Sequence, residues 1–235
     1  MSERKIMIPS GFRPVHSFDL WGVVVDKYAL GERKIAIYEK LAKREKVPEE
    51  EIKRVVRSYR ALLENASWAT GKRKAEIIQA IGSPALADEI QRYYASAFAQ
   101  DALYVMREIL EAGEGLMIFT SEPAEGLVDQ LAASLGERIG EVRYGDKTDP
   151  ASFRAVYEEE RRLGNIVVTH TADELPELIA ARESGLFQPG GLIYVNRDDS
   201  NSEEKVRSRG IDCYVDDLRD VKYTTLVEAK PDYGI

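Results

Sequence analysis

The chain is poor in the residues that staple or coordinate. Its 235 residues include one cysteine, Cys213. A lone cysteine forms no internal disulfide and leaves no set of thiolates for zinc, which fits a reducing compartment. There are only 2 histidines, His16 and His170. No apolar run approaches the roughly 18 residues needed to cross a bilayer. The segment Met1–Pro14 is charged early and lacks the apolar stretch of a signal peptide, so the expected location is the cytoplasm. Excess positive charge is missing too: the formal net charge is −8. Broad binding to a phosphate backbone needs clustered Lys and Arg, so nucleic acid is not an expected partner.

What is present suffices for a packed core. Hydrophobic residues make up 44% of the chain and charged residues 31%, well away from the composition of disordered proteins. Four short apolar runs stand out, at Val15–Val25, Leu116–Phe119, Ile166–Val168 and Leu192–Val195. Such runs, bounded by turn residues, are expected of strands buried on both faces of a parallel sheet. Helical patterns separate them. Ala102–Ala112 carries Leu103, Met106, Ile109 and Leu110 on one stripe, closed by Gly113. Pro123 is placed to open a helix with Leu127, Val128, Leu131 and Leu135 inward. Asp149-Pro150 starts another, with Phe153, Val156 and Tyr157 inward, and Glu174–Ser184 ends at Gly185. Strands alternating with helices of this length predict a parallel, right-handed α/β sheet.

The interval from Glu32 to Phe98 has no convincing strand. Helices are expected over Glu32–Lys46, Pro48–Glu64, Lys72–Ile81 and Ala85–Phe98, with breaks at Val47-Pro48, Thr70-Gly71 and Ser83-Pro84. This pattern predicts an all-helical domain inserted after the first strand.

In an open α/β sheet, ligands bind beyond the carboxyl ends of the strands. Asp19 stands at the end of the first strand, within Phe18-Asp19-Leu20-Trp21-Gly22-Val23-Val24-Val25-Asp26. Thr120 and Ser121 follow the second run. Lys147 lies in the loop after Glu141–Tyr144, a short β-like stretch. Asp173 and Glu177 lie past Thr169-His170-Thr171. A carboxylate can form a covalent aspartyl intermediate. Two carboxylates suit Mg²⁺, which keeps waters and phosphate oxygens among its ligands. A hydroxyl and an ammonium supply donors to a phosphoryl group. Each residue also has a plainer reading. Asp19 alone would be a turn residue, Lys147 a solvated loop lysine, and Asp173 a helix N-cap. His16 reads as a packed or hydrogen-bonded strand residue. His170 reads as a loop histidine near the site, with replacement of a missing acid as its alternative role.

Taken in order, these segments resemble the signatures of the haloacid dehalogenase superfamily. Phe18–Asp26 is similar to its Phe-Asp-x-Asp-Gly-Thr-Leu motif, and Leu116–Thr120 to its second motif, an apolar strand ending in Thr or Ser. Lys147 in Gly145-Asp146-Lys147-Thr148-Asp149-Pro150 is similar to the third. Asp173 and Glu177, with the helix behind them, are similar to the acidic fourth, and their spacing resembles the enolase-phosphatase branch. The resemblance implies a Rossmann-like parallel sheet flanked by helices, residues 1–26 and 100–235, with an inserted helical cap, residues 27–99. It implies a Mg²⁺-dependent phosphatase acting on a small phosphomonoester or activated phosphate. Asp19 would be the nucleophile, with Thr120 and Lys147 holding the transferred group. Ser121 is a competing hydroxyl and, with Trp21, an implied substrate contact. Asp19, the Trp21 carbonyl, Asp173 and Glu177 would bind the metal or its waters. The expected partner is a small phosphorylated molecule, with no membrane, for a monomer or homodimer.

One position departs from that pattern. Trp21 stands where phosphatases of the superfamily carry a second Asp as general acid and base. Indole cannot protonate a leaving alkoxide, so a rate factor of about 10²–10⁴ is expected to be missing. Haloacid dehalogenases have an aromatic residue there, so a metal-independent 2-haloacid dehalogenase is one alternative. A catalytically weak ligand-binding relative is the other. Val23 in place of the usual Thr, and the poor match of Thr169–Asp173 to the dehalogenase fourth motif, keep the phosphatase in front.

Overall fold

The computed structural model describes residues 8, 10–26, 35–36, 38–40, 42–44, 46–64, 98–121, 127–136, 139–140, 142–197, 201–221 and 223. The chain falls into two compact units, residues 1–25 with 98–235, and residues 26–97.

The larger unit is built on a six-stranded sheet. Its strands are β1 (Arg13–Asp19), β2 (Gly115–Thr120), β3 (Val142–Tyr144), β4 (Asn165–Ala172), β5 (Leu192–Val195) and β6 (Cys213–Val215). The order across the sheet is β3-β2-β1-β4-β5-β6, and every pairing is parallel. Order reverses between β1 and β4, so the crevice for a ligand lies at the carboxyl ends of these two strands. The apolar runs Leu116–Phe119 and Leu192–Val195 are buried throughout, as strands covered on both faces must be.

Two strands differ in extent from the sequence pattern. The run Val15–Val25 is a strand only as far as Asp19, and Leu20–Val25 forms a tight buried turn. The amides of Val24 and Val25 both donate to the Leu20 carbonyl, and Gly22 N donates to Val25 O. Gly22 sits at φ +92°, a conformation that L side chains resist. Conversely, β4 does not stop at Val168 but continues through Thr169, His170 and Thr171. Polar side chains are tolerated there because each has a partner. Thr169 Oγ1 lies 2.8 Å from His16 Nδ1, His170 Nδ1 lies 3.0 Å from Ser17 Oγ, and Thr171 Oγ1 lies 3.1 Å from the Tyr223 hydroxyl. His16 Nε2 is also 2.5 Å from Glu114 Oε2, so the hydrogen-bonded reading of His16 holds. Buried polar groups cost little when paired.

Helices between the strands supply the covering layers: α2 (Gln100–Glu111), α3 (Leu127–Leu135), α4 (Pro150–Arg162), α5 (Leu175–Glu183) and α6 (Glu203–Ser208), with α1 (Glu49–Glu64) in the other unit. Asp149 caps α4 by accepting from Ala151 N at 2.9 Å, with Pro150 in the first turn and Phe153, Val156 and Tyr157 buried. A helix start at Pro123 falls outside the described residues. The root of the first turn is tied down by Asp101 of α2. Its carboxylate receives Arg197 Nη1 and Nη2 at 2.8 and 2.9 Å and Leu218 N at 2.9 Å. Arg197 Nη2 in turn reaches the Val23 carbonyl at 3.3 Å.

The unit of residues 26–97 is helical wherever it is described apart from its connecting turns. Ile35, Ala42, Ile52 and Val56 form its apolar cluster, with Tyr38 and Val47 packed against it. Its break falls at Lys46, a non-glycine residue at φ 59°. Val47 N then returns to Ala42 O, and Pro48 O accepts from Glu51 and Ile52 at the start of α1. The helix expected over Lys72–Ile81 lies outside the described residues. So does Ala85–Phe98 except Phe98, which forms an isolated antiparallel bridge with Val25. Among the described residues no helix is long and apolar enough to cross a membrane.

Candidate active site

Asp19 is the last residue of β1 and pairs with Phe119 of β2. Its side chain is 1% exposed, and Oδ2 lies 2.7 Å from Lys147 Nζ. Lys147 comes from the loop between β3 and α4, over a hundred positions along the chain. That loop is held at both ends. Gly145 N donates to Thr120 O at 3.2 Å. The Asp146 carboxylate accepts from Thr148 N and Oγ1 at 2.8 and 2.7 Å, an Asx turn that fixes the backbone on either side of the lysine. These hydrogen bonds from Thr148 hold the Asp146 carboxyl below the usual range.

Lys147 Nζ also lies 2.7 Å from Glu177 Oε2. Glu177 sits in the first turn of α5 and is buried. Its other oxygen, Oε1, is 2.8 Å from His170 Nε2. A continuous polar chain therefore runs from Ser17 through His170, Glu177 and Lys147 to Asp19. His170 was the least legible member. It lies inside β4 rather than in a loop, fully buried, with ring centroids of Phe119, Phe153 and Phe187 within 6.2 Å. Burial drops its pKa to about 3, although Asp19 pulls the other way. A neutral ring with both nitrogens engaged is no substitute for a missing general acid. The available signal was its place two residues past the apolar run Ile166–Val168 and three before Asp173, within reach of a strand of ordinary length.

Asp173 is the first residue beyond β4 and is buried. It is not a helix cap, because the N-cap position of α5 belongs to Glu174, whose side chain makes no capping bond. Its carboxylate presses against the first turn instead. A Cβ built on Gly22 would stand 2.1 Å from Asp173 Oδ2, so only glycine allows this approach. Gly22 thus joins the site through the space it leaves.

The electrostatics follow from burial. Removal from water pushes the Asp19 carboxyl well above its ordinary range; Glu177 adds to this, Lys147 opposes it and Asp173 adds again. Burial likewise lifts Glu177 to about 7 against the pull of Lys147. Burial alone would lower the Lys147 pKa, but Asp19 and Glu177 outweigh it and the net shift is upward. Asp19 Oδ1 is buried and has no hydrogen-bond partner among the described residues. Asp19 and Glu177 share one ammonium and Asp173 adds repulsion at Asp19, a crowding of carboxylates that a cation would relieve.

Of the remaining predicted residues, Thr120 is buried at the end of β2 and Ser121 is exposed. Trp21 is half-buried in the first turn, bridged to Val25.

No protein-family model and no curated protein matches the chain. Solved structures do. A HAD phosphatase from Thermococcus onnurineus superposes with a TM-score of 0.58 at 18% identity, covering 88% of this chain and 95% of its own. The chain has the haloacid dehalogenase fold. A second structure with this fold, described as a dehalogenase, gives a TM-score of 0.57 at 15% identity, covering 91% and 96%. A third, assigned as a HAD-hydrolase from Bacillus subtilis and bound to magnesium, gives 0.55 at 13%, covering 89% and 96%. At these identities the likeness establishes the fold of this chain, with β1 and Asp19 at the centre of the sheet, and not its reaction.

Proposed function

We propose that the protein is a Mg²⁺-dependent phosphatase that works through an aspartyl-phosphate on Asp19. The observation that carries this reading is the buried contact of Asp19 with Lys147, backed by Glu177 and set beside Asp173. An Asp 1% exposed at a strand end has no structural use there that a neutral residue would not serve better.

The residues present fit a hydrated Mg²⁺. Asp19 Oδ1 is buried without a hydrogen-bond partner among the described residues, and Gly22 leaves room for Asp173 beside the Trp21 turn. No group of three or more His, Cys, Asp or Glu side chains suited to a metal occurs among the described residues. Asp19, Asp173, the Trp21 carbonyl and water would make up a ligand set that Mg²⁺ accepts. Bound there, it would offset charge on the phosphoryl oxygens. Glu177, both of whose oxygens face Lys147 and His170, serves to orient the lysine.

In the first step an Asp19 oxygen attacks phosphorus, the bond to the leaving oxygen breaks, and the electron pair departs with that oxygen. Lys147 and Thr120 donate to the transferred group. Water then attacks phosphorus, the bond between phosphorus and the Asp19 oxygen breaks, inorganic phosphate leaves with both protons of the water as dihydrogen phosphate, and the Asp19 carboxylate is restored. Trp21 offers no proton to the leaving group, so substrates whose leaving group departs as a stable anion are favoured, such as aryl or acyl phosphates. We assign the helical unit 26–97, inserted directly after the Trp21 turn, the role of a cap that selects substrate.

Release of phosphate from p-nitrophenyl or acetyl phosphate tests this. It should require Mg²⁺, cease with chelator and disappear in Asp19→Asn. Trp21 is the one residue that favours carbon–halogen chemistry, and halide release from 2-halo acids unaffected by chelator would replace the phosphatase reading with that one. Ligand binding with neither activity would leave a non-catalytic relative.

A further inference from the structure

Beyond the phosphatase reading, on which its kinetic consequence rests, His170 has a distinct task. We propose that His170 is a positioning residue: as the neutral Nε2–H tautomer it holds the Glu177 carboxylate in the orientation that places Lys147 on Asp19.

The polarity of the chain of contacts argues for this. Lys147 is an ammonium and can only donate, so Glu177 Oε2 and Asp19 Oδ2, each at 2.7 Å, must accept. With Glu177 ionised, its Oε1, 2.8 Å from His170 Nε2, needs a proton on that nitrogen. The ring is buried among Phe119, Phe153 and Phe187, surroundings that favour its uncharged form, in which it carries one N–H. Nδ1 is left as an acceptor and takes the hydroxyl proton of Ser17 at 3.0 Å. Donation runs from Ser17 to His170 and from His170 to Glu177, where it meets the donation from Lys147 at the other oxygen. A carboxylate free to rotate about its own bonds would let Lys147 swing from Asp19; one pinned at Oε1 cannot.

The chain's 2 histidines make long-range ¹H–¹⁵N spectra simple. In the unmodified protein at pH 8.5, with Glu177 ionised, His170 should show a protonated Nε2 and a bare Nδ1. A protonated Nδ1 would overturn the proposal, and this measurement needs neither a variant nor activity. His170→Phe fills the aromatic surroundings but cannot donate. It should shift the Lys147 ε-carbon resonance and lower kcat on p-nitrophenyl phosphate about 10- to 150-fold, the loss expected for a hydrogen bond to a charged group, with KM within about threefold. His170→Gln, whose amide can donate to Glu177, should restore the resonance and most of kcat. If Phe retains full activity and an unshifted resonance, or if Gln is as impaired as Phe, His170 only fills space and the proposal fails. Should His170→Phe not fold, His170→Gln decides alone: near-native kcat and Lys147 resonance are expected, and loss of either overturns the proposal. If the unmodified protein releases no phosphate from any substrate, the phosphatase reading falls. The tautomer and the Lys147 resonance then still decide the role of His170.

Discussion

Gly22→Ala puts the site geometry under a direct test. The added methyl meets two obstacles. At φ +92° an alanine adopts a backbone conformation that costs about 1–3 kcal/mol. Its Cβ would also lie 2.1 Å from Asp173 Oδ2 and 2.4 Å from Cγ, where ordinary contact needs roughly 3.5 Å. The carboxylate must therefore retreat by more than ~1 Å, and it is buried, with little room to do so. Overpacking of this kind adds about 1–3 kcal/mol. Urea denaturation should show a combined loss of about 2–4 kcal/mol without added metal, taking both costs at the lower half of their ranges. A displacement of ~1 Å near reacting groups lowers rates by about 10²-fold, and Asp173 is in addition a proposed metal ligand. Initial rates on p-nitrophenyl phosphate against Mg²⁺ concentration should show a fall in kcat of about that size and a weaker half-saturation by Mg²⁺. A folded Gly22→Ala protein with both quantities within threefold of wild type would show that Asp173 has no part in the site.

Stability in chelator should fall between pH 6.5 and 8. Glu177 titrates near 7 when folded against an ordinary 4.5, and Asp19 is raised in the same direction. A raised carboxyl stabilises below its unfolded pKa, and that contribution is lost as pH rises through the folded value. His170, lowered to about 3 from 6.5, acts oppositely; its gain still grows at half its full slope at pH 6.5 and levels off over the next unit, so the net fall is clearest from pH 7 to 8. Denaturation midpoints across these pH values, with and without Mg²⁺, check the sign. Midpoints that rise with pH in chelator, or a fall that Mg²⁺ does not abolish, would count against the charge excess. Trp21→Asp should raise turnover of alkyl phosphates by about 10²–10⁴-fold, the worth of a general acid, and leave aryl phosphates much less changed. No gain on alkyl phosphates would mean that Trp21 shapes the pocket rather than merely lacking a proton.

By itself the sequence determined the layers and the residues at the strand ends. Short apolar runs between amphipathic stretches can be buried only as parallel strands between helices, and Asp149-Pro150 announces a helix start in any context. Asp19, Lys147 and Glu177 were identifiable because each follows a strand or opens the next helix in a fixed order. Only the tertiary structure decided where polarity is tolerated and how chemistry-bearing residues meet. Apolar character could not separate strand from buried turn, so Leu20–Val25 folds back around Gly22 although its composition suits a strand. Thr169, His170 and Thr171 stay in β4 because partners from Ser17, His16 and Tyr223, distant in sequence, satisfy them. The same holds for His170 against Glu177 and for Gly22 against Asp173. A residue's partner in a parallel sheet depends on strand order and register, and both are set by the packing of the whole chain rather than by its neighbours in sequence.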